Sequence, residues 1–482
     1  MVTRADFVTI IPILIVVLSG CAVLLAESLK RANDRPWHEL LALIGLAGAI
    51  WTSLAQWGND GLGFGVILTD KYALFFNIML CGIGILTTLL SIGTADRDRI
   101  PSGEYYALML FSISWMMMMG STRDLLVIFV ALEIMSLGVY VMTAIKRGSE
   151  AGVEGGFKYF VLGAFSSAFF LYGIALAYAA TGTTKLDEIG MLVASSAQQP
   201  DLVMLLTLSM ILLAVGFSFK IGAVPFHMWT PDAYQGAPTL VTGFMSTAVK
   251  AAAFAAFARV FLIALEPFRA EWLPMLSVVA GLTMVIGTVV GVTQNSVKRM
   301  LAYSSIAHAG YLLLGLLAAN QAGKAAILFY LVAYAVTNLG AFGVLAALTT
   351  NDRPHDDIRD FAGLWNERPG MAALLTVFLL SLGGFPPTVG FVAKWYIFNA
   401  AVQEGLITLA VLGVLTSVVA VFFYLRIVVM MYMTEDHAPG HRPFAPKLAV
   451  AGMVLALAAV FYLGVLPGGL LWAARESVAS FF

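Results

Sequence analysis

Apolar residues in this 482-residue chain gather into runs of bilayer-crossing length, separated by short polar, proline or glycine breaks. A helix needs about 20 apolar residues to cross the hydrocarbon of a membrane. Stretches of roughly that length fall at 7–27, 38–57, 72–93, 105–120, 124–145, 156–180, 202–237, 239–265, 272–294, 302–319, 324–348, 371–402, 406–433 and 447–473. Two of them are too long for one straight crossing. The seventh holds Pro225 between Lys220 and His227, and the twelfth holds Gly383-Gly384-Phe385-Pro386-Pro387. Proline removes a backbone donor and clashes with the preceding turn, so each long stretch predicts a discontinuous helix. Carbonyls freed at bilayer depth must then face protein or water. The pattern predicts an all-α polytopic membrane protein of about 14 transmembrane helices, with the seventh and twelfth broken. The longest polar stretches, 181–201 and 349–369, are too short for a separate domain, so residues 1–482 read as a single membrane domain.

Composition agrees: 60% of residues are hydrophobic and 11% charged, with a net charge of −1. No basic surface suggests nucleic acid as a partner; the bilayer is the expected one. Cys21 and Cys81 both lie in apolar runs and lack a chelating spacing. There is no Cys-x-x-Cys, no histidine pair at haem spacing and no P-loop. The cluster Gly61-Leu62-Gly63-Phe64-Gly65 lacks the strand and helix that a dinucleotide fingerprint requires. The expectation is a chain without metal, redox centre or nucleotide hydrolysis. Asp6 beside Arg4 ahead of the first run predicts a retained helix and not a cleaved signal. Small residues Gly20, Ala22, Gly82 and Gly84 suit close helix contacts. Lysines and arginines in the loops divide fourteen to seven, with the poorer side holding the termini. By the positive-inside rule both termini should face away from the cytoplasm.

Six basic residues fall inside spans: Lys158, Lys220, Lys250, Arg259, Lys394 and Arg426. A charge at the bilayer centre costs ~2.5–3.5 kcal/mol on insertion scales, so such residues are paired, hydrated or functional. Arg259 and Arg426 lie near span ends, where long side chains can snorkel to the interface. Lys158, four residues after Glu154, can pair with it along the helix. Glu133, Lys250 and Lys394 have no such escape, and Lys220 sits at the break of its own span. A buried ion pair between Glu133 and one lysine would leave at least two lysines unexplained. His308 reads either as a link in a proton wire or as a neutral imidazole bonding a neighbouring helix. His227 and Asp232 near the first break read as caps or as polar groups at a half-helix start.

The run Phe219-Lys220, Val224-Pro225-Phe226-His227, Trp229-Thr230-Pro231-Asp232 and Tyr234-Gln235-Gly236-Ala237-Pro238 resembles subunit N of bacterial proton-translocating NADH:quinone oxidoreductase, respiratory complex I. Its companions match the antiporter-like subunit family too. Ala131-Leu132-Glu133 looks like the fifth-span glutamate, Lys250 like the eighth-span lysine, Ala302-Tyr303-Ser304-Ser305-Ile306-Ala307-His308 like the tenth-span motif, and Gly390-Phe391 with Lys394 like the twelfth-span lysine. The resemblance implies two inverted five-helix repeats, residues 105–265 (helices 4–8) and 272–433 (helices 9–13), after N-terminal helices 1–3 (1–104) and before a C-terminal helix 14 (447–482). Lys220 precedes its break by five residues, whereas Lys394 follows Pro387 by seven, so the repeats are not recognisable from the sequence itself.

What the resemblance implies for function is proton translocation across the bacterial inner membrane through Glu133, Lys220, Lys250 and Lys394, with His308 and Lys158 as weaker candidates. Quinone reduction would occur elsewhere: NADH, FMN, iron–sulfur clusters and quinone would belong to other subunits, with no cofactor in this chain. Partners would be the antiporter-like subunit M and small membrane subunits. The alternatives are an Mrp-type sodium/proton antiporter subunit, which shares the lysines and glutamate, and a non-conducting scaffold.

Overall fold

The computed structural model describes residues 4–29, 37–195, 200–349, 356–434 and 446–479, most of them helical. Among these, twelve helices are long and apolar enough to cross a membrane. The two remaining predicted stretches, 105–120 and 371–402, correspond to the helix Ser102–Ser121 and to the pair Pro369–Gly383 and Val389–Gln403. Lys30, Arg31, Arg35, Arg353 and Arg442, five of the basic residues behind the orientation, lie outside the described residues.

Both breaks fall where proline and glycine demanded them. The helix Pro200–Ile221 stops at Gly222, whose φ is +73°, and resumes as Trp229–Gly236; Pro369–Gly383 stops at Gly384, φ +89°, and resumes at Val389. A left-handed glycine closes each helix end, and the prolines beyond it cannot continue the helix. A third irregularity had no signal in the sequence. The span Thr239–Ala264 widens into π-helix over Met245–Val249, directly before Lys250, and again over Val260–Ala264. The glycine cluster at 61–65 supplies the first strand and the start of the turn of a small hairpin, Leu62–Gly63 against Ile67–Leu68.

Four helices form the covered centre: Lys71–Ser91, Thr239–Ala264, Val297–Ala318 and Gln321–Leu348. Around them, Arg4–Leu29, Glu150–Thr181, Ile407–Met433 and Lys447–Val465 turn Leu18, Phe157, Phe165, Phe422 and Leu455 outward. In water such an apolar exterior would be a liability; in hydrocarbon it costs nothing. Gly20 faces the ring of Phe111, and Gly84 lies against Ile113 and Leu46, as small residues at close helix contacts should. Gly82 departs from that expectation and faces open space.

Arg259 corrects the snorkelling reading. It is fully buried, its Nη2 donating to Asp70 Oδ1 at 2.7 Å and its Nε to the Gly120 carbonyl at 2.9 Å, with the guanidinium 4.6 Å from the Tyr72 ring centre. Asp70 also caps the helix Lys71–Ser91 and faces Arg123 at 3.6 Å. This lock ties the N-terminal helices to the π-bulged span. Arg426 is half-buried and donates to the carbonyls of Val292 and Gln294 at a helix end, as an end-of-span arginine should. Removing one partner of a buried ion pair costs about 3–5 kcal/mol, because the other charge stays buried. Asp70→Ala should therefore sharply lower the thermal unfolding midpoint, and Asp70→Leu combined with Arg259→Met should recover much of the loss.

Candidate functional site

Three lysines lie almost wholly buried at bilayer depth, and each is held differently from the ion pairs found nearer the surface. Lys220, in the last turn before the first break, donates to Ser136 Oγ at 2.6 Å and sits between the rings of Tyr140 and Tyr159, 5.3 and 5.2 Å from their centres. Lys250 donates to Ser305 Oγ at 2.6 Å and to the Ser305 carbonyl, with the Tyr334 ring 5.3 Å away. Lys394 donates to Ser417 Oγ at 2.7 Å and reaches back to the carbonyls of Leu382 and Gly383, both at 2.9 Å, with the Tyr311 ring at 5.4 Å. Those carbonyls are the unsatisfied end of the broken helix, where the helix dipole favours a cation. Lys394 thus follows its break in sequence yet returns to it in space.

Glu133 is half-buried and accepts a hydrogen bond from the Ser167 hydroxyl. No ion pair joins it to Lys220. Ser136, one turn along the helix Leu125–Thr143, stands in that place. Each amine therefore rests on hydroxyl or carbonyl oxygen and an aromatic face. A hydrogen bond to a charged group is worth ~1.5–3 kcal/mol, and a desolvated cation–π contact up to ~2 kcal/mol. Together they roughly offset the ~2.5–3.5 kcal/mol of placing the charge there.

His308 joins two of these sites. Its Nδ1 lies 2.6 Å from the Tyr330 hydroxyl and its Nε2 3.4 Å from that of Tyr424, which also bonds Ser304. Its ring packs 5.0 Å from that of Tyr334, beside Lys250, and 5.6 Å from that of Tyr311, beside Lys394. Between Lys220 and Lys250 the link is aromatic. Tyr159 stacks on Trp229 at 3.9 Å, Trp229 meets Tyr234, and the Tyr234 hydroxyl lies 3.3 Å from Ser305 Oγ.

Lys158 stands apart from the buried set, pairing with Glu154 at 2.6 Å and Asp232 at 2.8 Å on a partly exposed face. Asp232 also takes Arg299 at 2.7 Å, which pins the resumed half-helix Trp229–Gly236 between two neighbouring helices. His227 is partly exposed at the break, its carbonyl accepting from the Thr230 amide. Sequence reasoning missed Ser136, Ser167 and Ser417 and gave Ser305 only as part of the motif that ends at His308, with no lysine as its partner. A serine on an apolar helix more often bonds its own backbone, so only the fold marks these as partners. Among the described residues no group of three or more His, Cys, Asp or Glu side chains could hold a metal, and Cys21 and Cys81 are unpaired.

The transmembrane family described as NADH:quinone oxidoreductase/Mrp antiporter matches residues 122–420, which include Glu133, Lys158, Lys220, Lys250, His308 and Lys394. Broken helices and buried lysines within that match define a membrane protein of the antiporter-like class. NADH-quinone oxidoreductase subunit N of Trichlorobacter lovleyi is 41% identical over 474 residues, 97% of this chain and 96% of the relative. Subunit N 2 of Rhizobium meliloti is 40% identical, with 97% and 96% covered. The chain belongs to the subunit N family of NADH-quinone oxidoreductase. Among solved structures, a chain of respiratory complex I from Thermus thermophilus superposes with a TM-score of 0.81 at 34% identity, covering 97% of this chain and 100% of that one. A chain of the Mrp complex from Dietzia sp. shares the fold, with a TM-score of 0.85 at 21% identity over 99% of this chain and 97% of that one.

Gly384 gives the Lys394 site a direct test. A Cβ there would lie 3.0 Å from Lys394 Cδ, on a backbone with φ +89°. A left-handed non-glycine residue costs on the order of 1–3 kcal/mol. Gly384→Ala should lower the thermal midpoint of the assembled protein by a corresponding amount, whereas Gly370→Ala, with open space around it, should leave the midpoint unchanged.

Proposed function

We propose that this chain conducts protons across the bacterial inner membrane as a subunit of NADH:quinone oxidoreductase, using Glu133, Lys220, Lys250 and Lys394 with His308 between the last two lysines. The observation that carries this reading is the mode of burial: three lysines, each on hydroxyl or carbonyl oxygen and a tyrosine face, and none on a carboxylate among the described residues. An ammonium held this way is close to balance. No fixed counter-charge holds it, so small movements of a neighbouring charge can load or empty it. Glu133, one turn from Ser136, is the carboxylate placed to act on Lys220. A proton leaving Lys250 would pass from Ser305 to His308, whose ring packs on Tyr334 beside Lys250 and on Tyr311 beside Lys394. Histidine can accept at one ring nitrogen and release at the other.

In this reading the chain performs no redox chemistry; NADH, FMN, iron–sulfur clusters and quinone belong to other subunits of the complex, and its membrane neighbours are the antiporter-like subunit M and small membrane subunits. The fourteen predicted stretches are all spans, residues 105–265 and 272–433 form the inverted repeats, and both termini face away from the cytoplasm.

The test is NADH-driven proton uptake by inside-out vesicles, normalised to assembled complex. Glu133→Ala and His308→Phe should each assemble and should each reduce proton uptake severalfold, His308→Phe by interrupting transfer between Lys250 and Lys394. Unchanged uptake in both variants would contradict the proposal. Recovery of the chain in a complex without flavin and iron–sulfur subunits would favour the Mrp-type antiporter instead.

A further inference from the structure

A cleft of about 820 Å³ opens between the helices His38–Ala55, Lys71–Ser91, Gln321–Leu348, Lys447–Val465 and Gly468–Ala479, and none of the residues of the lysine axis lines it. Its walls are almost wholly apolar, with Phe75, Met79, Leu86, Val336 and Ala459 inside and the exposed Trp472 at its rim. We propose that this cleft holds a phospholipid, one acyl chain lying between the helices and the phosphate at the end marked by Lys71 and Arg475.

Water does not suit the space, because a buried water needs two to four polar partners and these walls supply almost none. Hydrocarbon does suit it, since left empty the walls forfeit their dispersion contacts. The depth of the cleft selects the kind of hydrocarbon. Along Lys71–Ser91 the lining runs from Phe75 to Leu86, and along Lys447–Val465 it begins only at Leu455. From His38–Ala55 only Leu54 takes part, followed by Trp57 just beyond the helix. The cleft therefore starts at the membrane face carrying the loop after Ala55 and the C-terminal helix, and closes inside the membrane. Phe75 to Leu86 is eleven rises of 1.5 Å, about 16 Å, roughly half of the ~30 Å hydrocarbon core that a crossing helix must span. A spanning helix from a partner would need the full depth; a lipid tail needs half.

The open end carries the matching chemistry. Trp57 and Trp472 stand where an aromatic belt meets headgroups. Lys71 Nζ lies 2.6 Å from Glu476 Oε2, and both side chains are partly exposed. Arg475 beside them is exposed, which leaves a net positive charge for a phosphate. Gly82, midway along the wall, adds an independent observation. A Cβ there would meet no atom within 4 Å, so this glycine preserves width and packs against nothing in the chain.

That open space also supplies a gentle test. A Cβ at Gly82 meets nothing within 4 Å, so Gly82→Phe places a ring in the cleft, and replacing a mid-helix glycine favours the helix. The assembled complex would be placed in nanodiscs with a phospholipid carrying a photoreactive group on its acyl chain, and labelled peptides mapped. Labelling should concentrate on 75–86 and 455–473, fall to background in Gly82→Phe, and weaken in Arg475→Glu. Labelling spread evenly over outward faces such as that of Phe157 and Phe165, or unchanged by Gly82→Phe, would overturn the assignment. So would a photoreactive quinone analogue that displaces the lipid from these peptides, or protection of the peptides by a neighbouring subunit.

Discussion

A bare ammonium in hydrocarbon costs ~2.5–3.5 kcal/mol on insertion scales, and this fold places three of them in its interior. Everything around the lysines answers that cost without a fixed counter-charge. Ser136, Ser305 and Ser417 each offer a hydroxyl, tyrosine rings cover the exposed side of each amine, and a broken helix lends Lys394 two free carbonyls. The contrast with Arg259 is instructive. There a carboxylate, Asp70, meets a guanidinium at 2.7 Å, and the pair is a permanent brace. Arginine keeps its charge in any protein environment, whereas lysine can be neutral. The same chain thus sets arginine on carboxylate at the Asp70 lock and lysine on hydroxyl at its three buried amines, the arrangement that the proposed proton transfer requires.

The breaks and the π-helical turns serve the same end. A straight helix satisfies all of its carbonyls and has none left to hold a cation. By stopping at Gly222 and Gly384, the seventh and twelfth stretches expose helix ends inside the membrane, close to Lys220 and Lys394. The π-helical segment directly before Lys250 is a feature often found at functional sites. Asp232, with Lys158 and Arg299, holds the resumed half-helix in place from the polar side.

Much of this was legible in the sequence, because length and proline speak directly to a bilayer. Residues 202–237 and 371–402 are too long to cross straight, and their glycines and prolines name the places where they stop. Glu133, Lys250 and Lys394 stood out as charges too far from either edge to reach water, and Lys220 as the charge at the break of its own span. The partners were not legible. Asp70 is separated from Arg259 by 189 positions, so an arginine near a span end looked free to snorkel when it is locked. Ser136 and Ser305 look like ordinary helix serines until the fold brings lysines 84 and 55 residues away onto them. Of the helix that carries Glu133, it is Ser136 that takes the hydrogen bond of Lys220.

For the proposed proton transfer these lysines must change protonation and not merely brace helices. Arginine separates the two roles, since it can keep a positive charge among the same oxygens and rings but cannot release a proton. Lys220→Arg and Lys394→Arg, combined in one chain, should assemble and should sustain little NADH-driven proton uptake in inside-out vesicles, normalised to assembled complex. Near-normal uptake by that double variant would contradict the account and leave the lysines as structural charges.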